Sequence, residues 1–364
     1  MFAVPWARST IGVVLPGFIA TYGLTLGQAG LVSVAIEAGS VTTMLALAFW
    51  IDRWGAGRVA AWGLPVMATA ITLATFAPSF PWLMACLALF GVGMAFTSSG
   101  VNAALADTGP QRSVYLGFMH AGFSLLSIIT PVLAGIVIAR VDWQPYYWIS
   151  AGVAVVMLVI YSRSGIPPKP SVATLKVSLF DGMGGVLRRI ATVLMGVFCL
   201  VGMQGILMTW SYLYLVNQHS AGHTAATFAT SAVWCGILIG RWSMIWLSRH
   251  WTARWILLST IALSCVALLF EMLAPSMTMA FVVLMIAGIG VSGAYQLGAA
   301  WAAERAPERI GAASTFIMGA ASLGIGALPW GAGAIIEATS FGSLPGLVLG
   351  GLVTAALLFA VTRK

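Results

Sequence analysis

The sequence predicts an all-α integral membrane protein in which twelve transmembrane helices form two pseudo-symmetric six-helix bundles, with both termini cytoplasmic. Charge is scarce: 17 basic and 9 acidic residues are only 7% of the 364, against about 25% in soluble domains. Hydrophobic residues make up 60%, and the mean hydropathy is +0.99. An internal repeat also divides the chain nearly in half. Lipid must surround most of this chain, because twelve helices of about 20 residues would occupy about 240 positions.

Twelve apolar segments are separated by polar breaks. They lie near 1–22, 28–50, 59–77, 80–105, 113–139, 145–162, 190–216, 223–248, 254–274, 278–302, 310–336 and 343–362. The first segment begins at Met1 without a basic leader and is interrupted by Arg8. Either this span is complete with Arg8 inside it, or the true start lies upstream.

The basic residues predict the orientation of the spans. Fifteen of the 17 Lys and Arg residues, Arg8 included, fall on one side in alternate connections. Arg140 lies in a loop on the other side, and Arg241 lies within a span. Because cytoplasmic loops of membrane proteins collect Lys and Arg, both termini are predicted to be cytoplasmic. The net charge of +8 then describes these loops and does not indicate a nucleic-acid partner.

The two halves of the chain repeat each other. The segment 50–53, Trp-Ile-Asp-Arg, recurs 196 residues later as Trp-Leu-Ser-Arg at 246–249. Gly91 and Gly93 recur 197 residues later as Gly288 and Gly290. We expect an N-terminal bundle at 1–163, a proline-containing cytoplasmic linker at 164–189 and a C-terminal bundle at 190–364. Two parallel six-helix repeats are typical of transporters that move around a midplane site.

At the segment 50–58, Trp-Ile-Asp-Arg-Trp-Gly-Ala-Gly-Arg, the sequence resembles the major facilitator superfamily. The family carries Asp-Arg-x-Gly followed by a basic residue between its second and third helices. The resemblance implies that Asp52, Arg53 and Arg58 latch a cytoplasmic gate in the outward-facing state. Through the repeat it implies the same role for Arg249 and Arg254.

A narrower resemblance is to the fucose and other sugar:proton symporters. Residues 236–242 are similar to their eighth helix and 116–121, which includes His120, to their fifth. Asn102 stands where they carry Asn in helix 4, and Gln204 with Trp210 is similar to a Glu-x5-Trp pattern in helix 7. The coupling acids of helices 1 and 4 are replaced here by Gly12 and Ser98, which cannot titrate, so that chemistry does not carry over residue by residue.

Ionisable side chains inside spans are costly, by about 2.5–3.5 kcal/mol on insertion scales, and are therefore functional candidates. Four stand out: Arg8, Glu37, His120 and Arg241. A carboxyl group in low dielectric favours its neutral form, so Glu37 is a candidate proton carrier; the alternative is a structural partner for Arg8 or a backbone donor. His120 titrates near neutrality and is a second coupling candidate, or a packing histidine. Arg241 could contact an anionic solute, form an ion pair or extend to the interface.

A set of neutral polar and aromatic residues suits a sugar-like solute, because amide groups and a stacking aromatic ring commonly hold sugars. The candidate set is Asn102, Gln204, Trp210, Tyr212, Tyr295 and Gln296. For each aromatic residue, ordinary interior packing remains the alternative. With His120 and Arg241 these residues form the predicted substrate-binding set.

Other patterns predict structure instead of chemistry. The GxGxxG pattern at 288–293 lies inside an apolar span with no preceding strand, so it predicts close helix packing and no dinucleotide site. Gly236-x3-Gly240 and Gly346-x3-Gly350 predict the same. His219 and His223 lack nearby cysteines or carboxylates, so no metal site is expected. No catalytic motif or cofactor motif occurs, and the protein is not expected to be an enzyme.

The resulting hypothesis is a secondary active transporter that moves a small polar, sugar-like solute by alternating access, with proton coupling through Glu37 and His120. The alternatives are a drug or organic-anion carrier of the same superfamily and a transporter-like membrane sensor. We expect the lipid bilayer, the solute and protons as partners, a monomer, and the inner membrane of a prokaryote as location.

Overall fold

A computed structural model describes residues 1–106, 112–163 and 183–362, and these residues are almost entirely helical, without a β-strand among them. The helices are α1 Pro5–Arg8, α2 Ile11–Tyr22, α3 Leu26–Trp54, α4 Ala56–Thr75, α5 Phe80–Ala106, α6 Arg112–Ile138, α7 Trp143–Arg163, α8 Met183–His219, α9 His223–Leu247, α10 Ala253–Leu273, α11 Met277–Val291, α12 Ala294–Arg305, α13 Ile310–Ala338 and α14 Leu344–Val361. Single 3₁₀ turns at Pro307–Arg309 and Phe341–Ser343 precede α13 and α14.

Eleven helical segments in the described ranges are long and apolar enough to cross a membrane. Helices α11 and α12 together make one of them, Met277–Arg305, and the shorter apolar helix Ile11–Tyr22 lies outside the eleven. The predicted all-helical, multi-span fold class is confirmed. The count of twelve spans and the cytoplasmic location of the termini stay predictions.

Two predicted spans are broken where the sequence pattern indicated one continuous helix. The segment 1–22 divides into α1 and α2 at Ser9 and Thr10, and 278–302 divides into α11 and α12 at Ser292 and Gly293. The average hydropathy of a span does not reveal such breaks, because the combined segment Met277–Arg305 is still apolar enough to count as one span.

Carbonyl groups next to the first break accept hydrogen bonds from side chains of other helices. The Trp6 carbonyl accepts hydrogen bonds from the hydroxyls of Tyr146, at 2.6 Å, and Ser150, at 3.1 Å. The Pro5 carbonyl accepts from the Thr130 hydroxyl at 3.2 Å. A broken helix is tolerated in lipid only where neighbouring groups satisfy its backbone in this way.

The described chain forms two compact units. The first contains 1–24, 34–106 and 112–163, and the second contains 25–33 and 183–362. The beginning of α3 thus groups with the second unit, where the Ser33 hydroxyl lies 3.4 Å from that of Thr209. Helix α8 begins at Met183, earlier than the predicted span at 190. Most of the predicted linker, 164–182, lies outside the described residues.

Glycines set the closest helix contacts in both units. A Cβ atom on Gly39 would collide with the Ala88 carbonyl, and one on Gly91 with the Ile36 carbonyl. In the second unit, a Cβ on Gly236 would collide with the Met285 carbonyl in the same manner. Backbones approach this closely only where no side chain intervenes.

The glycine patterns of the sequence have different outcomes. Tight packing at Gly236, Gly240 and across 288–293 is confirmed, because a Cβ at each glycine there would meet a neighbour too closely. The prediction for Gly346 and Gly350 is wrong. A Cβ at Gly350 would meet nothing within 4 Å, and one at Gly346 only the end of Met272 at 3.8 Å. The same spacing occurs on both helices, but on α14 it lies on a partly exposed face.

Candidate functional site

The first unit contains a buried ion pair formed by two of the predicted intramembrane groups. Arg8 Nη2 lies 3.0 Å from Glu37 Oε1 and donates a hydrogen bond to it. The side chains of Arg8 and Glu37 are only 11% and 9% exposed. Arg8 ends α1, so the helix break directly after it positions the guanidinium to reach α3.

The break that positions Arg8 is held by a second polar contact. Ser9 donates from its hydroxyl to the Ser127 hydroxyl on α6 at 2.9 Å, and this bond is buried. Hydrogen bonds on both sides of the break therefore fix the end of α1 while α2 continues the span. The arrangement gives the guanidinium a defined direction toward Glu37.

The other predicted groups of this unit are more accessible. Asn102 on α5 is half-buried and donates from Nδ2 to the Ser98 carbonyl of its own helix at 2.8 Å. That bond uses one of its donors and leaves the amide oxygen available to a ligand. His120 on α6 is exposed.

In the second unit, two predicted aromatic groups are used internally. Trp210 on α8 is fully buried, and its Nε1 donates to the Pro329 carbonyl at 2.9 Å. Tyr212 is 5% exposed, and its hydroxyl lies 2.8 Å from His223 Nδ1. These contacts favour the packing alternative for both residues, because neither ring presents a free face for stacking a sugar.

The remaining predicted groups of the second unit are more open. Gln204 is half-buried, with its Nε2 3.9 Å from the sulfur of Met208. Tyr295 and Gln296 are both exposed and follow the break between α11 and α12. Arg241 on α9 is half-buried.

The predicted gating residues differ in their exposure and in their contacts. The exposed Arg53 lies over the ring of Trp50, 5.9 Å from its centre, which is cation–π geometry. Arg58 and Arg249 are exposed. The side chain of Asp52 lies outside the described residues.

Arg254 is bound to the end of another helix of its own unit. Its guanidinium donates to the Thr362 carbonyl at 3.4 Å and to the Ala360 carbonyl. These carbonyls belong to the end of α14, which has no further turn to bond them. Arg254 therefore caps α14, a role that the resemblance did not imply.

One buried group was missed by the sequence analysis. Glu271 on α10 is 2% exposed, and its Oε1 accepts a hydrogen bond from the Tyr214 hydroxyl at 2.7 Å. His219 Nε2 lies 2.9 Å from the same oxygen. Glu271 fell inside the predicted span 254–274, so its charge could have marked it as a fifth intramembrane candidate. Its closeness to the end of that span made it resemble an interfacial residue.

The histidines do not form a shared site in the described chain. His223 contacts Tyr212, whereas His219 contacts Tyr214 and Glu271. In the described ranges, no group of three or more His, Cys, Asp or Glu residues is arranged to hold a metal ion. The chemistry that the described clusters can perform is proton exchange and hydrogen bonding.

The sequence profile of the Major Facilitator Superfamily matches residues 1–329. This chain belongs to that superfamily. The match covers nearly all described helices, and together with the multi-span fold it makes the chain a multi-pass integral membrane protein with the fold of superfamily transporters.

Two curated relatives support the superfamily assignment over short regions. An uncharacterized transporter of the superfamily from Mycobacterium tuberculosis is 26% identical over 162 residues, 43% of this chain and 23% of the relative. An uncharacterized transporter from Schizosaccharomyces pombe is 28% identical over 120 residues, 30% of this chain and 20% of the relative. The matched segments span less than a quarter of either relative.

Solved structures of superfamily members are similar over the whole chain. A bacterial homologue of the human lysosomal transporter Spinster has 16% identity and a TM-score of 0.78, with 99% of this chain and 94% of that chain covered. The nucleoside transporter NupG has 13% identity and a TM-score of 0.78, with 100% of this chain and 96% of that chain covered. The Escherichia coli fucose:proton symporter FucP has 14% identity and a TM-score of 0.68, with 100% of this chain and 96% of that chain covered. At these identities the similarity shows the fold.

Proposed function

We propose that this protein is a secondary active transporter that moves a small, polar, sugar-like solute by alternating access and couples this movement to protons through Glu37. The observation that carries the proposal is the buried ion pair of Arg8 and Glu37, with 3.0 Å between Nη2 and Oε1. A carboxylate at this depth is retained at a free-energy cost, which indicates a use for its charge.

The ion pair gives proton binding a structural consequence. When Glu37 is ionised, its attraction to the guanidinium holds the end of α1 against α3. When a proton binds Glu37, the carboxyl becomes neutral and that attraction is lost, because only the charged form pairs with Arg8. Proton binding would thus loosen a contact between two helices of the same unit. The exposed imidazole of His120 is the candidate for a second coupling group.

The proposed solute contacts are the accessible polar groups of each unit. In the first unit these are Asn102 and His120, and in the second Gln204, Tyr295 and Gln296. Amide and hydroxyl groups both donate and accept hydrogen bonds, as a sugar requires. Trp210 and Tyr212 are left out of this set because their polar atoms already have partners within the protein.

The first experiment identifies a solute. Purified protein is heated in the presence of neutral sugars, nucleosides, organic anions and cationic drugs, and a ligand of the folded state raises the unfolding temperature. The proposal expects stabilisation by at least one neutral sugar-like compound. Stabilisation by organic anions or cationic drugs alone would contradict a sugar-like substrate.

The second experiment tests coupling in proteoliposomes with the solute so identified. Glu37→Gln is expected to abolish accumulation driven by a pH gradient while counterflow exchange continues, because the variant retains the binding groups but cannot release a proton. Glu337→Gln is the matched control: this carboxylate is exposed, and a glutamine can still accept the hydrogen bond from the Gly27 amide. Full accumulation by Glu37→Gln would exclude the coupling role.

The organic-anion alternative depends on Arg241, a half-buried cation on α9. Arg8 supports it less than the sequence suggested, because its guanidinium is paired with Glu37. If the solute is an anion, Arg241→Gln should weaken its binding at least tenfold while leaving neutral sugars unaffected. Equal binding of anions by the variant and the unaltered protein would remove this alternative.

A further inference from the structure

Glu271, His219 and Tyr214 form a buried polar cluster in the second unit, which we call the Glu271 cluster. Its members lie near the adjoining ends of α8 and α10. The side chains of His219 and Glu271 are 6% and 2% exposed, and Tyr214 is 4% exposed. None of the groups proposed for solute contact or coupling belongs to it.

The hydrogen bonds of the Glu271 cluster are distributed unequally over the two carboxyl oxygens. Tyr214 donates to Oε1 at 2.7 Å, and His219 Nε2 lies 2.9 Å from Oε1 and 3.2 Å from the Tyr214 oxygen. Since the tyrosine proton is used on Oε1, both neighbours of Nε2 are acceptors, and this nitrogen must carry hydrogen. Oε2 is buried and has no hydrogen-bond partner among the described residues.

The surroundings of Oε2 offer little compensation for a negative charge. A cavity beside Glu271 and Tyr214 is otherwise lined by apolar side chains, such as Leu207, Val283 and Val348. The space open to the centre of a water molecule is about 10 Å³, roughly enough for one water. An ionised carboxylate carries charge on both oxygens and is disfavoured where one of them has no protein partner and room for at most about one water.

Among the described residues, the titratable side chains that bond Glu271 are Tyr214 and His219. Helices α9 and α13 also pack on α8 and carry His223, Arg241 and Glu337, but none of these is bonded to Glu271. The stretches 277–291 of α11 and 344–361 of α14 contain no titratable side chain. Helix α12 contains Tyr295, Glu304 and Arg305, but these begin 11 residues beyond the cavity-lining Leu284, roughly 16 Å along the span. The ionisation of Glu271 is therefore decided within the cluster.

We propose that Glu271 is a proton-binding site of the second unit, held as the neutral acid with its proton on Oε2. In this form Oε1 is the carbonyl oxygen, which accepts from Tyr214 and lies beside the His219 N–H, while Oε2 bears the hydroxyl hydrogen toward the small cavity. His219 ends α8 next to the exposed residue Ser220 and directs its N–H toward Oε1, so the proton on Oε2 exchanges through a water molecule that enters the small cavity. The site is separate from Glu37 and does not depend on the proposed coupling.

Infrared difference spectroscopy of the purified protein in lipid tests the proposal without any solute. The carboxylic-acid carbonyl band of Glu271 should be present in the unaltered protein, shift in D₂O and be missing in Glu271→Gln. Tyr214→Phe should retain the band at higher frequency, because the hydrogen bond to the carbonyl oxygen is lost. Glu337→Gln, which alters an exposed carboxylate, should leave the band unchanged.

Two results would overturn the proposal. One is a carbonyl region that is identical in the unaltered protein and Glu271→Gln at every pH, which would mean an ionised Glu271 paired with protonated His219. The other is a carbonyl band that Tyr214→Phe does not move, a readout that remains valid if Glu271→Gln folds poorly. Failure of the Glu37 transport experiment would leave both readouts intact.

Discussion

At the scale of single residues, losing one member of the Arg8–Glu37 pair should destabilise the protein more than replacing both members. Removing one partner of a buried ion pair leaves an uncompensated charge and costs about 3–5 kcal/mol, whereas replacing both by neutral groups is often close to neutral. The pair therefore constrains which substitutions the first unit tolerates, quite apart from any role in transport.

Arg8→Met is expected to lower the thermal unfolding midpoint at neutral pH, since Glu37 is then left ionised without its guanidinium or must take up a proton. The double variant Arg8→Met/Glu37→Gln should recover most of the loss, because no buried charge remains. Arg58→Met, which removes an exposed cation, serves as the control and should change little. If the loss of stability in the double variant equals the sum of the losses in Arg8→Met and Glu37→Gln, the contact contributes no coupling free energy.

Trp210 allows packing and solute stacking to be separated. Trp210→Phe keeps an aromatic ring but removes the N–H bonded to the Pro329 carbonyl, so one buried hydrogen bond is lost at a cost of about 0.5–1.5 kcal/mol. We expect a lower unfolding temperature together with an unchanged dissociation constant for the solute, measured by titration well below the unfolding transition. Tenfold weaker binding in a variant of normal stability would instead support a direct contact between the ring and the solute.

At the scale of helices, the two units use the same glycines for the same purpose. Gly39 on α3 lies against Ala88 of α5, and Gly91 on α5 lies against Ile36 of α3. Gly236 and Gly288, each 197 residues later, bring α9 and α11 together in the same way. In all four cases the obstructing atom is a backbone carbonyl oxygen, so a rotamer change cannot relieve it. The internal repeat thus preserves a crossing geometry as well as a loop motif.

Alanine at Gly39 or Gly236 should destabilise the protein by about 1–3 kcal/mol, because the helices must separate to accept the methyl group. Alanine at Gly152 or Gly350 supplies the control in each unit, since a Cβ there meets nothing within 4 Å. These controls should be neutral or more stable by up to about 1 kcal/mol, since alanine favours the helix. Unfolding midpoints of the four variants provide the comparison, and equal midpoints would contradict the close approach.

The helices could be predicted from the sequence more completely than the site. Span positions follow from apolar length, and Glu37 with Arg8 could be singled out because both charges lie well inside apolar segments. The break at Ser292 could not be predicted, since it depends on packing that hydropathy does not record. Trp210 was assigned to solute contact because composition cannot distinguish a cavity aromatic from one that bonds a neighbouring carbonyl.

At the scale of the whole molecule, the predicted orientation rests on charge distribution alone and has a direct test. In a cysteine-free background, Gln218→Cys and His250→Cys place single thiols at exposed positions on either side of α9. A membrane-impermeant maleimide added to intact cells should label the first and spare the second, because the basic loop at 249–254 is predicted to face the cytoplasm. Labelling of His250→Cys but not of Gln218→Cys would show that the orientation is the reverse of the predicted one.

Helix α8 runs from Met183 to His219 without an internal break, whereas the first span and the α11–α12 span are interrupted. Its 37 residues give a length of roughly 55 Å, well beyond the roughly 30 Å hydrocarbon layer. A helix of this length whose backbone hydrogen bonds are continuous is stiff. Arg188 and Arg189 near its beginning and His219 of the Glu271 cluster at its end therefore belong to one continuous helix, so a rigid-body rotation of α8 would move both ends together.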